Sequence, residues 1–191
     1  MPIRIEGHLF SLFKDYDQTH LAELTYDGKV SWFDARTRLV LIRPLDILKP
    51  IRRGKRRPRR ASTKLVFGTV LFGGVEALGT FYAGTDGTAA TFKKFLTDFM
   101  DPRWQPHVDE LREDFRNGLA HGLTVKRGGF EFRQHEPFTV SPAGSIEVDP
   151  AFLLRDFKRA YRQYVARLRA EGFASDIGAA FQKRFHDVYE A

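Results

Sequence analysis

The stretch "LVFGTVLFGGVEALGTFYAG", from Leu65 to Gly84, leaves this chain few ways to fold. A run of roughly 20 apolar residues either crosses a membrane or becomes the buried central helix of a bundle. Glu76 is the feature that separates the two. An ionised carboxylate in mid-bilayer costs about 2.5 kcal/mol or more, so the buried helix is the preferred reading. Gly68, Gly73, Gly74 and Gly79 each cost about 1 kcal/mol of helix propensity relative to Ala. That cost is offset where a bare backbone lets another segment approach closely. A buried Glu76 in turn demands a partner.

Helical patterns flank this stretch. Ser62 or Thr63 is placed to cap its start. After the turn "GTDGT", "AATFKKFLTDFM" puts Phe92, Phe95, Leu96 and Phe99 on one face, and Asp101-Pro102 stops it. "PHVDELREDFRNGLAHG" follows, with Val108, Leu111, Phe115 and Leu119 on one face. Pro106 suits its first turn, and Gly122 suits a left-handed C-terminal position. From Asp149 the pattern is helical again, with Phe152, Leu153, Phe157, Tyr161, Tyr164 and Leu168 aligned and Gly172 at the end. A last helix follows, capped by Ser175.

Between about 123 and 148 the apolar period changes to two. Gly128-Gly129 and "SPAGS" read as hairpin turns, which gives a small β-hairpin insertion. Upstream, "HLFSLFKDY" reads as a short amphipathic helix or an edge strand. Asp27-Gly28 is a hairpin signal. "ARTRLVLIRPLDILKP" reads as a helix broken near Pro44. The expected fold is mainly α. Residues 1–61 form an N-terminal appendage ending in a basic loop, and residues 62–191 form an up-and-down helical bundle.

Charge points to an acidic partner. The formal net charge is +7, and basic excess favours nucleic acid or an anionic membrane surface. Seven basic residues fall within the nine positions Arg52, Arg53, Lys55, Arg56, Arg57, Arg59 and Arg60 span. Gly54 and Pro58 interrupt them, so the run is an exposed loop able to contact RNA phosphates without reading sequence. No lipidation motif accompanies it, which makes a membrane partner the weaker choice. The chain has no cysteine, which excludes disulfides, thiolate zinc sites and cysteine nucleophiles. The N-terminus lacks secretory-signal features, and a cytoplasmic location is expected.

One helix end gathers chemistry. In "DFRNGLAHGLTV", Asn117 and His121 are four residues apart and share a face of a regular α-helix. Arg116 begins on the neighbouring face and is long enough to curl toward them. His121 lies in the last turn, where the negative pole of the helix favours positive charge. RNA is cut when its 2′-OH attacks the adjacent phosphate. That reaction needs a base, an acid and positive charge on the transition state, and imidazole and guanidinium groups supply these. The plainer reading is helix termination with solvated polar residues.

"RNGLAH" resembles the motif of the HEPN superfamily, an Arg followed after four to six residues by a His. The order "LFGGVEALGTFYAG", "FKKFLTDFM", "LREDFRNGLAHG" is similar to a bacterial HEPN-like group over roughly Lys64 to Val125. The resemblance implies a homodimeric helical bundle. Two Arg–His motifs would meet at its interface as an endoribonuclease needing no metal or cofactor. Arg116 would contact the scissile phosphate, His121 would act as acid or base, and Asn117 would orient them. Glu76 resembles an acidic residue that some members carry on an earlier helix, where it would bind Arg116 or His121. Gly118 is small enough to let two such helices meet. The family also implies a toxin or phage-defence role and an antitoxin partner. Other members are non-catalytic binding or interaction modules, and that alternative stays open.

Overall fold

The apolar stretch forms a single helix, Ala61–Ala83, around which the other elements pack. The computed structural model describes residues 2–11, 18–48, 61–122, 124–132 and 136–191. The helix already begins at Ala61, so Ser62 and Thr63 fall inside its first turn rather than at its N-cap position, and the basic run Arg52–Arg60 lies outside the described residues.

In chain order, a two-stranded antiparallel pair, β1 (Pro2–Ile5) and β2 (His8–Ser11), leads into α1 (Gln18–Glu23). Next, α2 (Tyr26–Thr37) runs through a π-helical turn (Arg38–Ile42) into α3 (Arg43–Leu48). The central helix is α4 (Ala61–Ala83), followed by α5 (Ala89–Phe99). A 3-10 segment (Pro102–His107), α6 (Val108–Glu110), a π-helical segment (Leu111–Asn117) and α7 (Gly118–Gly122) make up the motif helix. Three short strands follow, β3 (Gly129–Phe130), β4 (Phe138–Val140) and β5 (Ile146–Val148). The chain closes with α8 (Pro150–Glu171) and α9 (Asp176–Tyr189). The fold is mainly α-helical.

Residues Lys64–Ala83 are long and apolar enough to cross a membrane, yet 61% of that window is buried inside the fold. It is the core helix of the bundle, packed by α3, α5, α8, α9 and the motif helix. The regular apolar faces settle as their spacing predicts. Phe92, Phe95, Leu96 and Phe99 are buried, and so are Val108, Leu111, Phe115 and Leu119. Thr88 and Thr91 cap α5 reciprocally. Asp149 caps α8, Ser175 caps α9, and Gly172 ends α8 with a φ of +72°.

Several local expectations are corrected. Asp27-Gly28 lies in the first turn of α2, not in a hairpin. The Thr25 hydroxyl accepts the Gly28 N–H at 3.2 Å, and Asp27 favours the positive pole of the new helix. Pro44 does not break its helix. The π-helical turn just upstream already displaces the backbone ladder that a proline cannot join. Pro106 sits in the 3-10 segment ahead of α6. Gly122 is the last residue of α7 and is not among the residues with positive φ.

The insertion is a three-stranded sheet in the order β3-β5-β4. The "SPAGS" turn does join an antiparallel pair, since Ser141 N donates to Ser145 O at 2.9 Å. Gly128-Gly129 instead opens β3, which pairs parallel with β5. Alternation identifies strands but not their neighbours. The division at residue 61 also separates segments that share one core. Phe10, Leu21, Val30, Trp32, Phe33 and Leu45 belong to the same buried cluster as α4, α8 and α9.

Asp34 joins α2 to α8. Its carboxylate accepts from Tyr161 Oη, from Arg38 Nε at 2.7 Å and from Arg169 Nη2 at 3.0 Å. Burial opposes its charge, but these donors outweigh burial and hold its pKa below the usual carboxylate value.

The α4 glycines are not equivalent. A Cβ at Gly79 would lie 2.5 Å from the Thr91 carbonyl oxygen, so the start of α5 rests directly on bare backbone. A Cβ at Gly73 would meet nothing within 4 Å. Gly73→Ala is therefore expected to raise stability by about 0.5–1 kcal/mol through helix propensity alone. Gly79→Ala is expected to lower it by about 1–3 kcal/mol, because the clash with backbone outweighs the propensity gain. Urea denaturation of the two variants checks the pair, and shifts in the same direction would contradict the contact at Gly79.

Candidate functional site

Glu76 leaves α4 toward the motif helix. Its carboxylate is 16% exposed, too little solvent for a charge to go without a partner. Arg116 provides one. Its Nε donates to Glu76 Oε2 at 2.7 Å, and its Nη2 donates to the same oxygen. The third arm, Nη1, donates to Asn117 Oδ1 at 2.9 Å. Asn117 Nδ2 then donates to Glu113 Oε1 at 3.0 Å, which also accepts from Arg112 Nη1 at 2.7 Å. Glu76, Arg116, Asn117 and Glu113 thus form one hydrogen-bonded chain running from the core helix to the surface.

Local sequence explains the placement. Phe115 and Leu119 bury against α4, and Phe115 stacks at 5.6 Å from Phe72, one turn before Glu76. Arg116, next to Phe115, is thereby carried to Glu76. The π-helical segment widens the helix over Leu111–Asn117, a form of helix that recurs at functional sites.

His121 is not part of the array. It is exposed in α7, and among the described residues no hydrogen bond or ion pair joins it to Arg116, Asn117 or Glu76. The spacing predicts a face shared with Asn117, but both amide atoms of Asn117 are already engaged, Oδ1 by Arg116 and Nδ2 by Glu113.

Gly118 has a different role from the one expected. A Cβ there would lie 2.5 Å from the Thr124 carbonyl oxygen. The chain folds back over it, with Thr124 N donating to Gly118 O at 3.3 Å and Lys126 N donating to Asp114 O at 3.0 Å. The small residue admits the protein's own returning chain at Thr124 and Lys126, so this face of the helix is not free for a second helix.

Two further acids, Glu113 and Asp114, complete the surroundings of the array. Glu113 was legible, since it lies four residues before Asn117 on a helix. Asp114 is buried and accepts from Arg127 Nε at 3.1 Å across the return. That contact depends on the backbone reversal and has no spacing rule.

No family model matches the chain, and no curated protein or solved structure is significantly similar to it.

Removing Arg116 strands a mostly buried carboxylate. Arg116→Ala is expected to cost about 1–3 kcal/mol, less than for a fully buried pair because both side chains keep some water. His121→Ala is expected to change stability by less than about 0.5 kcal/mol, as for other exposed positions. Thermal denaturation of the two variants checks the contrast; equal losses would mean that the Glu76–Arg116 pair does not hold the motif helix.

Proposed function

We propose that the chain is a HEPN-type, metal-independent endoribonuclease that acts as a homodimer in the cytoplasm. The observation that carries the reading is the state of Arg116. A guanidinium has five N–H donors in a planar fork, and three of these are used by Glu76 and Asn117. The two that remain belong to Nη1 and Nη2, the pair suited to two phosphate oxygens. Held from behind by a carboxylate and an amide, the fork is oriented before substrate arrives, which is the condition for electrostatic stabilisation of a phosphorane-like transition state.

In this reading the RNA 2′-oxygen attacks the adjacent phosphorus and the bond to the 5′-oxygen breaks. One His121 takes the proton of the 2′-OH, and the His121 of a second copy protonates the leaving oxygen. The resemblance of "RNGLAH" and its preceding helices to the HEPN pattern supplies the dimer. Exposed apolar residues at Val40 and Val66 give such a copy something to cover. The basic run Arg52–Arg60 would add phosphate contacts along the RNA. A toxin or phage-defence role with an antitoxin partner follows from the same family resemblance.

A second reading is a non-catalytic nucleic-acid-binding or interaction module. It is favoured by the neutralisation of Arg116 by Glu76 and by the isolation of His121 from the array.

Incubation of the purified chain with total RNA in EDTA separates the readings. Cleavage is expected, and His121→Ala should reduce it by about 100-fold or more. Arg116→Ala should do the same, with Arg116→Lys as a companion that keeps the charge but not the fork. Cleavage that persists in all three variants would overturn the enzyme reading. Salt-sensitive RNA binding without products, lost when the basic run is neutralised, would establish the second.

A further inference from the structure

Away from the motif helix, at the junction of the N-terminal strands with α1, three side chains converge. His20 Nδ1 lies 3.3 Å from Glu23 Oε2, and His8 Nε2 lies 3.7 Å from the same oxygen. One potential ligand atom from each of His8, His20 and Glu23 falls within 4.8 Å of the other two. The two imidazole rings are tilted by 38° with centroids 4.8 Å apart.

The fold brings them together for reasons unrelated to their own attraction. On β2, alternate residues share a face, so His8 points to the same side as the buried Phe10, while Leu9 is exposed. On α1, Leu21 and Leu24 are buried in the same core. His20 and Glu23 keep the same three-residue spacing one position earlier, which sets them beside that buried stripe. The junction is fastened independently. The Glu6 carboxylate accepts the Thr25 backbone N–H at 3.0 Å and the Thr25 hydroxyl, which ties the strand pair to the end of α1.

We propose that His8, His20 and Glu23 bind a divalent first-row transition-metal ion, with Zn2+ as the fitting occupant. Two imidazoles and one carboxylate are a recurrent ligand set for such ions. With metal–ligand bonds of about 2.0–2.1 Å, tetrahedral coordination puts ligand atoms roughly 3.3–3.4 Å apart. The two separations from Glu23 Oε2 stand close to that value. The imidazole nitrogens, within 4.8 Å of each other, need to approach by up to about 1.5 Å, a movement that half-exposed side chains accomplish by rotation. Exposure also leaves a fourth position for water. The side chains of His8, His20 and Glu23 are 32%, 45% and 51% exposed.

The bound ion would clamp β2 to α1 across the 11 residues between His8 and His20. It would lie apart from Arg116, so the site does not depend on the ribonuclease reading. Sequence spacing does not announce it, because only His20 and Glu23 are close along the chain and His8 arrives through the strand.

The test uses the untagged full-length chain, stripped with EDTA and dialysed. Zn2+ is titrated by calorimetry and Co2+ by visible absorption. One ion per chain is expected, with Co2+ giving the intense absorption of four-coordinate geometry. His8→Ala, His20→Ala and Glu23→Gln should each weaken binding at least tenfold. His20→Gln, which keeps a polar side chain, should weaken it equally while circular dichroism stays native. His186→Ala, at an exposed histidine on α9, should bind as the parent does. Absence of saturable binding, or affinity unchanged within twofold in His8→Ala and His20→Ala, would overturn the proposal.

Discussion

The fold depends on a charge in an apolar helix. Between Leu65 and Gly84, Glu76 is the one acidic or basic side chain, and it lies on the central helix of the bundle. Burying it against an apolar neighbour would cost several kcal/mol. The element that covers this part of α4 must therefore carry a cation at the facing position. Arg116 satisfies that demand, and beside it Phe115 packs on Phe72, one helical turn before Glu76. A polar contact and an aromatic contact in adjacent turns fix the motif helix both along its axis and about it. Sliding the helix by one residue would lose both together.

The motif helix gives up regular geometry to meet this requirement. Its π-helical segment and its short α7 end leave carbonyl groups that a longer α-helix would have paired. The chain recovers them by turning back, so that Lys126 and Thr124 donate to Asp114 and Gly118. Arg127 then pairs with the buried Asp114. The return explains why position 118 is glycine, and it occupies one face of the helix. A second copy of the chain would have to meet the helix on another face, on the side where His121 is exposed.

Much of the fold was legible because periodicity records burial directly. The faces built on Phe92 to Phe99, Val108 to Leu119 and Leu153 to Leu168 needed no tertiary information. Misreadings arose where a local signal had two meanings. Asp27-Gly28 suits a hairpin turn and also the first turn of a capped helix, and Thr25 with Glu6 decided for the helix. Gly128-Gly129 suits a turn and also the entry to a parallel strand, and the pairing with β5 decided that. At the site, the need of Glu76 for a partner was legible from its apolar surroundings. Its partner was named only through family resemblance. The contacts of Asp114 with Arg127 and of His8 with His20 and Glu23 cross chain reversals, and no spacing rule reaches them.

The Glu76–Arg116 pair also bounds what the site can do. A carboxylate beside the guanidinium cancels much of its long-range field, so Arg116 attracts an anion weakly from a distance. At contact the balance changes. Two N–H groups of Arg116 are not bound to Glu76 or Asn117, and in the ribonuclease reading hydrogen bonds from them to a phosphate would leave the contacts to Glu76 and Asn117 in place. Freeing Arg116 by removing Glu76 would strengthen the field and lose the orientation, and it would leave α4 facing the motif helix without its fixing contact. In the ribonuclease reading, stability and anion recognition would thus fall to one guanidinium divided between two tasks.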